Sequence, residues 1–344
     1  MRRVARILER LQGQIVAATR RHPRLTVFVG LAVILAAVVA GILFLSQRAE
    51  TPKPTVEVYH AKLLQHVESP GEDTWRQPAA VAVLDGQVFL LDTGNNRILA
   101  LDSDGDAERV LDGRLDGRLA LKGAMDITSD GQFLYVANSG ARQILVVTPA
   151  GEVTKAIELE KVAEGDIGRP RPISIAVGPQ GELLVTDADN NRLLRYDGDG
   201  RLLQVMGEGR RGAGTGGFNT PAGVALDSLG NAYVVDMLNG RVVQLSPDGT
   251  FLRQVGELGD SGGTFSRPKD VALDADGNIY VSDGLLAAVE VFSPEGRYLG
   301  FIGREEPSDA KSVSLFQAPA GLKIVDDRLY VVDRFAGLFI FRIH

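Results

Sequence analysis

The sequence predicts an all-β fold, a six-bladed β-propeller of four-stranded blades, preceded by one transmembrane helix. Three observations predict it. One pattern recurs six times along the chain. Each copy breaks into short apolar runs separated by turns of Gly, Asp, Asn and Ser. A single uncharged apolar run, residues 25–46, stands before the first copy.

The apolar run comes first in the chain. LTVFVGLAVILAAVVAGILFLS carries no charge in 22 residues. As a helix it reaches roughly 33 Å, enough for a hydrocarbon core. A cleavable signal has a shorter apolar stretch and a small-x-small exit. Here the exit is FLSQRAE, so a retained signal anchor is expected. Seven Arg precede the run, and only Arg48 and Lys53 follow closely. That bias places the N-terminus in the cytoplasm and the body in the periplasm or its equivalent. The net charge of −7 divides into +6 for residues 1–50 and −13 for the rest. This is a basic, membrane-facing tail on an acidic body. Within residues 1–24, Val4, Leu8, Leu11 and Ile15 recur at helical spacing with Arg between them. An amphipathic helix resting on anionic lipid is expected, with partner docking as the alternative. Residues 47–55 read as a linker and residues 56–344 as the propeller. No Cys is present, which excludes disulfides, thiolate metal sites and C-x-x-C-H haem attachment.

The six copies align on Pro78, Lys122, Pro172, Pro221, Pro268 and Pro319, 44 to 51 residues apart. A period of this size signals a propeller or a solenoid. Copy four, GVALDSLGNAYVVDMLNGRVVQLSPDG, shows the parse. Strands are expected at Val224–Leu226, Ala232–Val235 and Arg241–Leu245, and a fourth in TFLRQVG. The turns between them carry hairpin chemistry. Copy six reaches His344 after its third strand. Upstream of copy one, AKLLQHVESPGEDTWRQP matches the outer strand and connector GTFLRQVGELGDSGGTFSRP before copy five. Trp75 stands where Phe218, Phe265 and Phe316 stand before their prolines. A strand near Lys62–Val67 is therefore expected to complete blade six, closing the ring without open edges.

The pattern P-x-G-V-A-x-D-x-x-G-N-x-Y-V-x-D-x-x-N-x-R-V resembles the NHL repeat family. Copy four holds Pro221, Gly223, Gly230, Asn231, Tyr233, Asp236, Asn239 and Arg241. Copies one and three keep Asp92, Asn95 and Arg97, and Asp187, Asn190 and Arg192. Copy two has Asn138 and Arg142, while copies five and six keep Asp283 and Asp333 without the Arg. With its apolar run, the chain resembles the membrane-anchored bacterial type. The resemblance implies the propeller and leaves function open. Lyases resembling this fold use metal-bound His, lactonases on similar propellers use a Glu/Asn/Asp calcium site, and some NHL proteins bind RNA.

The Asp-x-x-Asn-x-Arg set reads as structural. A carboxylate caps the turn after strand two and pairs with the Arg that opens strand three. DSDGD, YDGDG and DADGN resemble calcium loops, but the EF-hand's twelfth position falls on Gly113 and Leu285 for the loops opening at Asp102 and Asp274. They read as hairpin turns. On the inner strands, the position four after each anchor is Ala82, Asp126, Ala176, Ala225, Ala272 and Lys323. Asp270 and Ser174 lie two after theirs. Asp126, Asp270, Lys323 and Ser174 are the expected channel-mouth group for a ligand or cation. Solvated charges or an Asp126–Lys323 pair are the alternative. No catalytic residue is assigned, because the four His (His22, His60, His66, His344) avoid copies one to five and no Ser/His/Asp triad can be argued. Two long connectors, Gly207–Gly217 and Gly303–Ser314, share a face with the turns between strands two and three. Arg210, Arg211, Arg304 and Lys311 on them are the candidates to meet a partner, with solvated loops as the alternative reading.

The expected function is a membrane-anchored, extracytoplasmic, protein-binding or scaffold propeller without a cofactor, one subunit of a membrane complex. Its partners would be envelope or membrane proteins, and the lipid bilayer through residues 25–46. The alternative is a lactonase-like envelope hydrolase or lyase with calcium or another divalent cation near Asp126 and Asp270, to which Asn138 could contribute. Nucleic acid is not expected, because phosphate binding needs a basic footprint.

Overall fold

The computed structural model describes residues 59, 61–69, 74–112, 120–159, 162, 166, 169–303 and 314–343. The expected tail 1–24, anchor 25–46 and linker 47–55 lie outside the described residues, as do Arg304 and Lys311. Among the described residues, no helix is long and apolar enough to cross a membrane.

Among the described residues, twenty-four strands form six four-stranded antiparallel sheets. Strand β1 (Ala61–Val67) comes first. Blade one holds β2 (Ala80–Leu84), β3 (Gln87–Asp92), β4 (Arg97–Leu101) and β5 (Ala107–Leu111). Blade two holds β6 (Asp126–Ser129), β7 (Leu134–Asn138), β8 (Gln143–Val147) and β9 (Val153–Glu158). Blade three holds β10 (Pro172–Val177), β11 (Leu183–Asp187), β12 (Arg192–Tyr196) and β13 (Leu202–Met206). Blade four holds β14 (Pro221–Leu226), β15 (Ala232–Asp236), β16 (Arg241–Leu245) and β17 (Phe251–Val255). Blade five holds β18 (Pro268–Leu273), β19 (Ile279–Asp283), β20 (Ala288–Phe292) and β21 (Tyr298–Ile302). Blade six holds β22 (Pro319–Val325), β23 (Arg328–Asp333) and β24 (Gly337–Ile343), and β1 completes it. Ala61 pairs with Ile343 and Val67 with Leu338, so the expected closure is present.

The turns explain the repeat. In blade four, Asp227 accepts the N–H groups of Leu229 and Asn231, both at 2.9 Å, and so holds the first hairpin. After Asp236 one turn of 3₁₀ helix, Met237–Asn239, ends on Gly240 at φ 60°. The residue four after each blade acid, or after Asn138 in blade two, is left-handed throughout: Asn96, Arg142, Asn191, Gly240, Ala287 and Gly337. Asn and Gly tolerate that conformation best, which accounts for the NNR and NGR wording of copies one, three and four. The inner strand starts earlier than its apolar run suggests. Pro221 pairs with Asp236 before the register steps to Val224 opposite Val234. The same step follows Pro172, Pro268 and Pro319.

The core lies between blades. Between blades three and four, Leu184, Leu193 and Met206 meet Phe218, Val234 and Val243. Between blades six and one, Val67, Tyr330 and Leu338 meet Trp75, Leu90 and Leu99. Burying each large apolar side chain contributes about 1.5–3 kcal/mol. Trp75, Phe218, Phe265 and Phe316 are all buried. Turns between strands two and three and connectors from strand four to strand one share one end of the channel, the loop end. The remaining hairpin turns share the other. As a fourth strand, β1 is entered from that other end.

Candidate functional site

Two sets of acids organise the molecule, one buried and one half-buried. The first closes strand two of five blades. Asp236 Oδ2 accepts from Arg241 Nε at 2.9 Å and Asn239 Nδ2 at 2.7 Å, while Oδ1 accepts Asn219 N–H at 2.7 Å. Asp92 and Asp187 repeat this with Arg97 and Asn95, and with Arg192 and Asn190. Burial outweighs those partners for Asp236 and moves its carboxyl up. Where the Arg is missing, backbone replaces it. Asp283 accepts the N–H groups of Ser266, Arg267, Leu285 and Leu286. Asp333 accepts those of Gln317, Ala318, Phe335 and Ala336. In blade two, Asn138 accepts Lys122 N–H and donates to Ala120 O. The structural reading of this motif therefore holds.

The second set faces the channel. Asp126 opposes Ala137, as Asp270 opposes Ser282. Both partners immediately precede the residue that ends strand two. Asp126 therefore shares a ring with the positions two after the other anchors: Ala80, Ser174, Gly223, Asp270 and Gly321. The expected place of Asp126, level with Lys323, is corrected. Thr128 holds that level in blade two, opposite Tyr135 as Lys323 is opposite Tyr330. Asp126 lies four residues after Lys122, where the other ring members lie two after their anchors, and no proline marks the step, so the alignment is displaced by two.

Each polar member of the upper ring reaches the next blade. Asp126 Oδ2 accepts Ser174 Oγ–H at 2.7 Å and Ile175 N–H at 2.9 Å. Ser174 Oγ accepts Val224 N–H at 3.2 Å. Asp270 Oδ2 accepts Leu322 N–H at 2.8 Å. Asp126 and Asp270 also accept their own neighbours, Ile127 and Val271. They stand three blades apart, on opposite sides of the axis. Lys323 Nζ lies one ring further from the loop end, 3.3 Å from Thr128 Oγ1. Burial raises Asp126 to about 6, against its hydrogen bonds and Lys323. Asp270 is raised to about 8, first by burial and then by the charge of Asp126. Burial lowers Lys323 against the pull of both acids. Channel water reaches these half-buried side chains and tempers the shifts. The four expected channel residues are thus brought together at a waist. A cavity of about 220 Å³ opens from it to the loop end and one of about 240 Å³ to the other.

The loop-end cavity contains cations that the sequence reading missed. Lys269 stands between Pro268 and Asp270, and Arg334 follows Asp333. Both line the cavity with Arg171 and with apolar Met125, Ile173 and Met237. Arg171 Nε is paired with Asp189 Oδ1 at 2.7 Å. Lys269 Nζ lies 3.6 Å from Met237 Sδ, a weak acceptor. Arg334 Nε is buried without a hydrogen-bond partner among the described residues. Burial, and then the charges of Arg334 and Arg267, lower Lys269 against the pull of Asp283.

The same end is asymmetric. Two residues after the acid or amide that ends strand two, blades one to three carry Gly94, Gly140 and Asp189. Blades four to six carry Leu238, Leu285 and Phe335, exposed at 45%, 66% and 66%. Leu258 and Leu315, on neighbouring connectors, are exposed too. Reading that position across all six copies would have revealed this arc. The loop Gly207–Gly217 is stapled down: Arg241 donates to Gly214 O and Gly217 O, and Asn239 to Gly212 O. Arg211 is exposed on it, and Arg210 is exposed but paired with Glu208 at 2.8 Å. Among the described residues, no group of three or more His, Cys, Asp or Glu converges as a metal site. Asn138 is committed to backbone, outside the channel ring.

Residues 170–196, spanning the inner three strands of blade three, match the NHL repeat. The chain carries an NHL repeat. NHL repeat-containing protein 3 from Homo sapiens is 34% identical over 179 residues, which are 49% of this chain and 51% of that protein. Its Mus musculus counterpart is 37% identical over 80 residues, 22% of each. The chain therefore spans about half the length of the human relative and less of the mouse one. Among solved structures, virginiamycin B lyase from Staphylococcus aureus superposes with a TM-score of 0.56 at 15% identity, over 83% of this chain and all of the other. A gluconolactonase from Xanthomonas campestris gives 0.58 at 16% identity, over 84% of this chain and 96% of that one. At such identities the likeness shows the propeller architecture alone.

Proposed function

We propose that this NHL propeller is a protein-binding module, held at an extracytoplasmic membrane surface by residues 25–46, that recruits envelope or membrane proteins through blades four to six. The observation that carries the reading is the exposed arc of Leu238, Leu285 and Phe335. Apolar side chains grouped on one half of one face mark an interaction surface. They sit on turns held rigid by buried acids, and a pre-organised surface loses little entropy on binding.

The test is site-specific photocrosslinking in native membranes. A photoreactive residue at position 285 or 335 is expected to give one discrete conjugate, and one at Leu229, on the opposite end, none. Equal labelling from both ends would sink the reading. Alkaline extraction tests the anchor: the full chain should stay with the membrane, and a chain starting at residue 52 should not.

Facing acids favour a second reading, a divalent-cation-dependent hydrolase or lyase at the waist. Two features weigh against it. The carboxylate oxygens are already engaged by N–H and O–H donors, and Lys323 adds a positive charge beneath them. Calcium titration of the native chain and of Asp126→Asn separates the readings. The binding reading expects no calcium heat that depends on Asp126.

A further inference from the structure

The loop-end cavity contains charge that the fold does not use. The blade acids satisfy their own turns, and the channel acids satisfy the next blade. Lys269 and Arg334 do neither. They come from blades five and six, adjacent around the axis, and both line one cavity. No carboxylate lies within ion-pair distance of either among the described residues. Holding two such cations together, partly out of water, is costly unless something negative joins them.

We propose that this cavity binds a small organic monocarboxylate, its anionic group between Lys269 and Arg334 and its apolar body against Ile173 and Met237. Two cationic donors of different shape, neither ion-paired among the described residues and Lys269 holding only the weak acceptor Met237 Sδ, suit a carboxylate, since the Arg fork and the Lys ammonium can each take one oxygen. Above the floor of Asp126, Asp270 and Ser174, the walls are mostly apolar apart from Thr220, these cations and Arg171, which already holds Asp189. That favours an organic body over a bare inorganic ion. A cavity of about 220 Å³ limits the ligand to a small molecule. The floor sets its charge. Asp126 and Asp270 lie at the waist below, and a second negative group pushed toward them would be repelled. This site does not depend on the protein-binding surface, and either can fail alone.

The experiment is fluorine NMR of 4-fluorobenzoate with the full-length protein in micelles, subtracting protein-free micelles. 4-Fluorobenzyl alcohol serves as the uncharged probe. Saturable binding of the benzoate is expected, weakened by added salt, with the alcohol at least about tenfold weaker. Lys269→Met and Arg334→Met should each weaken the benzoate by about tenfold or more, whereas Lys269→Arg should stay within about threefold of the native protein. Thermal melts check that each variant folds. Benzoate and alcohol binding alike, or no saturable benzoate binding to the native chain, overturns the proposal without reference to any variant. So does a folded Lys269→Met that binds as the native protein does.

Discussion

The acid that ends strand two of a blade and the acid that faces the channel are both Asp, yet the first is buried, the second half-buried, and their surroundings differ. Asp236 is enclosed by a guanidinium, an amide and a backbone N–H, all within its own blade and connector. Asp270 meets two N–H groups, one of them from the next blade, and a second carboxylate across the axis. The first arrangement recurs in every blade that keeps the acid, and blades five and six rebuild it from backbone once the Arg is lost. The second occurs in two blades of six. Repetition marks what the fold requires, and departure from it marks what is particular to this molecule.

The sharpest way to break the comparison is Asp236→Ala. It strands Arg241, Asn239 and the Asn219 N–H together. We expect a loss of about 3–5 kcal/mol in urea unfolding. If the loss is no larger than that of Asp270→Asn, the distinction fails. Gly223→Ala should come next. A Cβ there would lie 2.3 Å from Asp270 Oδ1 and 2.6 Å from its Cα. Overpacking should cost about 1–3 kcal/mol.

A pH series sharpens the comparison further. Both channel acids have folded pKa values, about 6 and about 8, above that of an unfolded Asp. The folded chain therefore holds protons that the unfolded chain releases. Their contribution to stability is complete below about pH 4 and falls away as pH rises toward about 8. Asp270→Asn should cost about 1–2 kcal/mol in acid, where the carboxyl is neutral and only a hydrogen bond is disturbed. It should also flatten the upper part of the decline. A native melting temperature that rises between pH 5 and pH 8, once the other acids are matched by the Asp126→Asn/Asp270→Asn background, would contradict the raised values. The smallest effect belongs to the surface. Leu285→Ser should change stability by no more than about 0.5 kcal/mol and yet abolish the crosslink expected at that end.

Much of this was legible because hairpin chemistry is local. Asp227 and Gly240 specify their turns from within a few residues, so copy four alone gives a blade, and the repetition gives the ring. The pairing of Asp236 with Arg241 was legible for the same reason, with donor and acceptor facing each other across one turn. Asp126 was assigned to the wrong level because copy two has Lys122 where the others have Pro, and no local signal marks the inner strand's start. Lys269 and Arg334 were missed for a different reason. Nothing near either in sequence mentions the other, and only the curvature of the ring brings blades five and six around one cavity. The loops at Arg210 and Arg211 were read correctly as a long connector, but the bonds from Arg241 that hold the segment down depend on backbone geometry that composition does not encode.

Strand β1 is translated first of all the strands and its partner β24 last. During the tens of seconds that synthesis from β1 to β24 takes, β1 lacks the strand it pairs with, and the seam cannot shut until β24 emerges. Deleting residues 337–343 would leave β1 without its ladder and β23 as a bare edge, after every other blade had been built. The propeller's completion thus waits for β24, and a frameshift just before it should behave as an unclosed, aggregation-prone chain rather than as a shortened one.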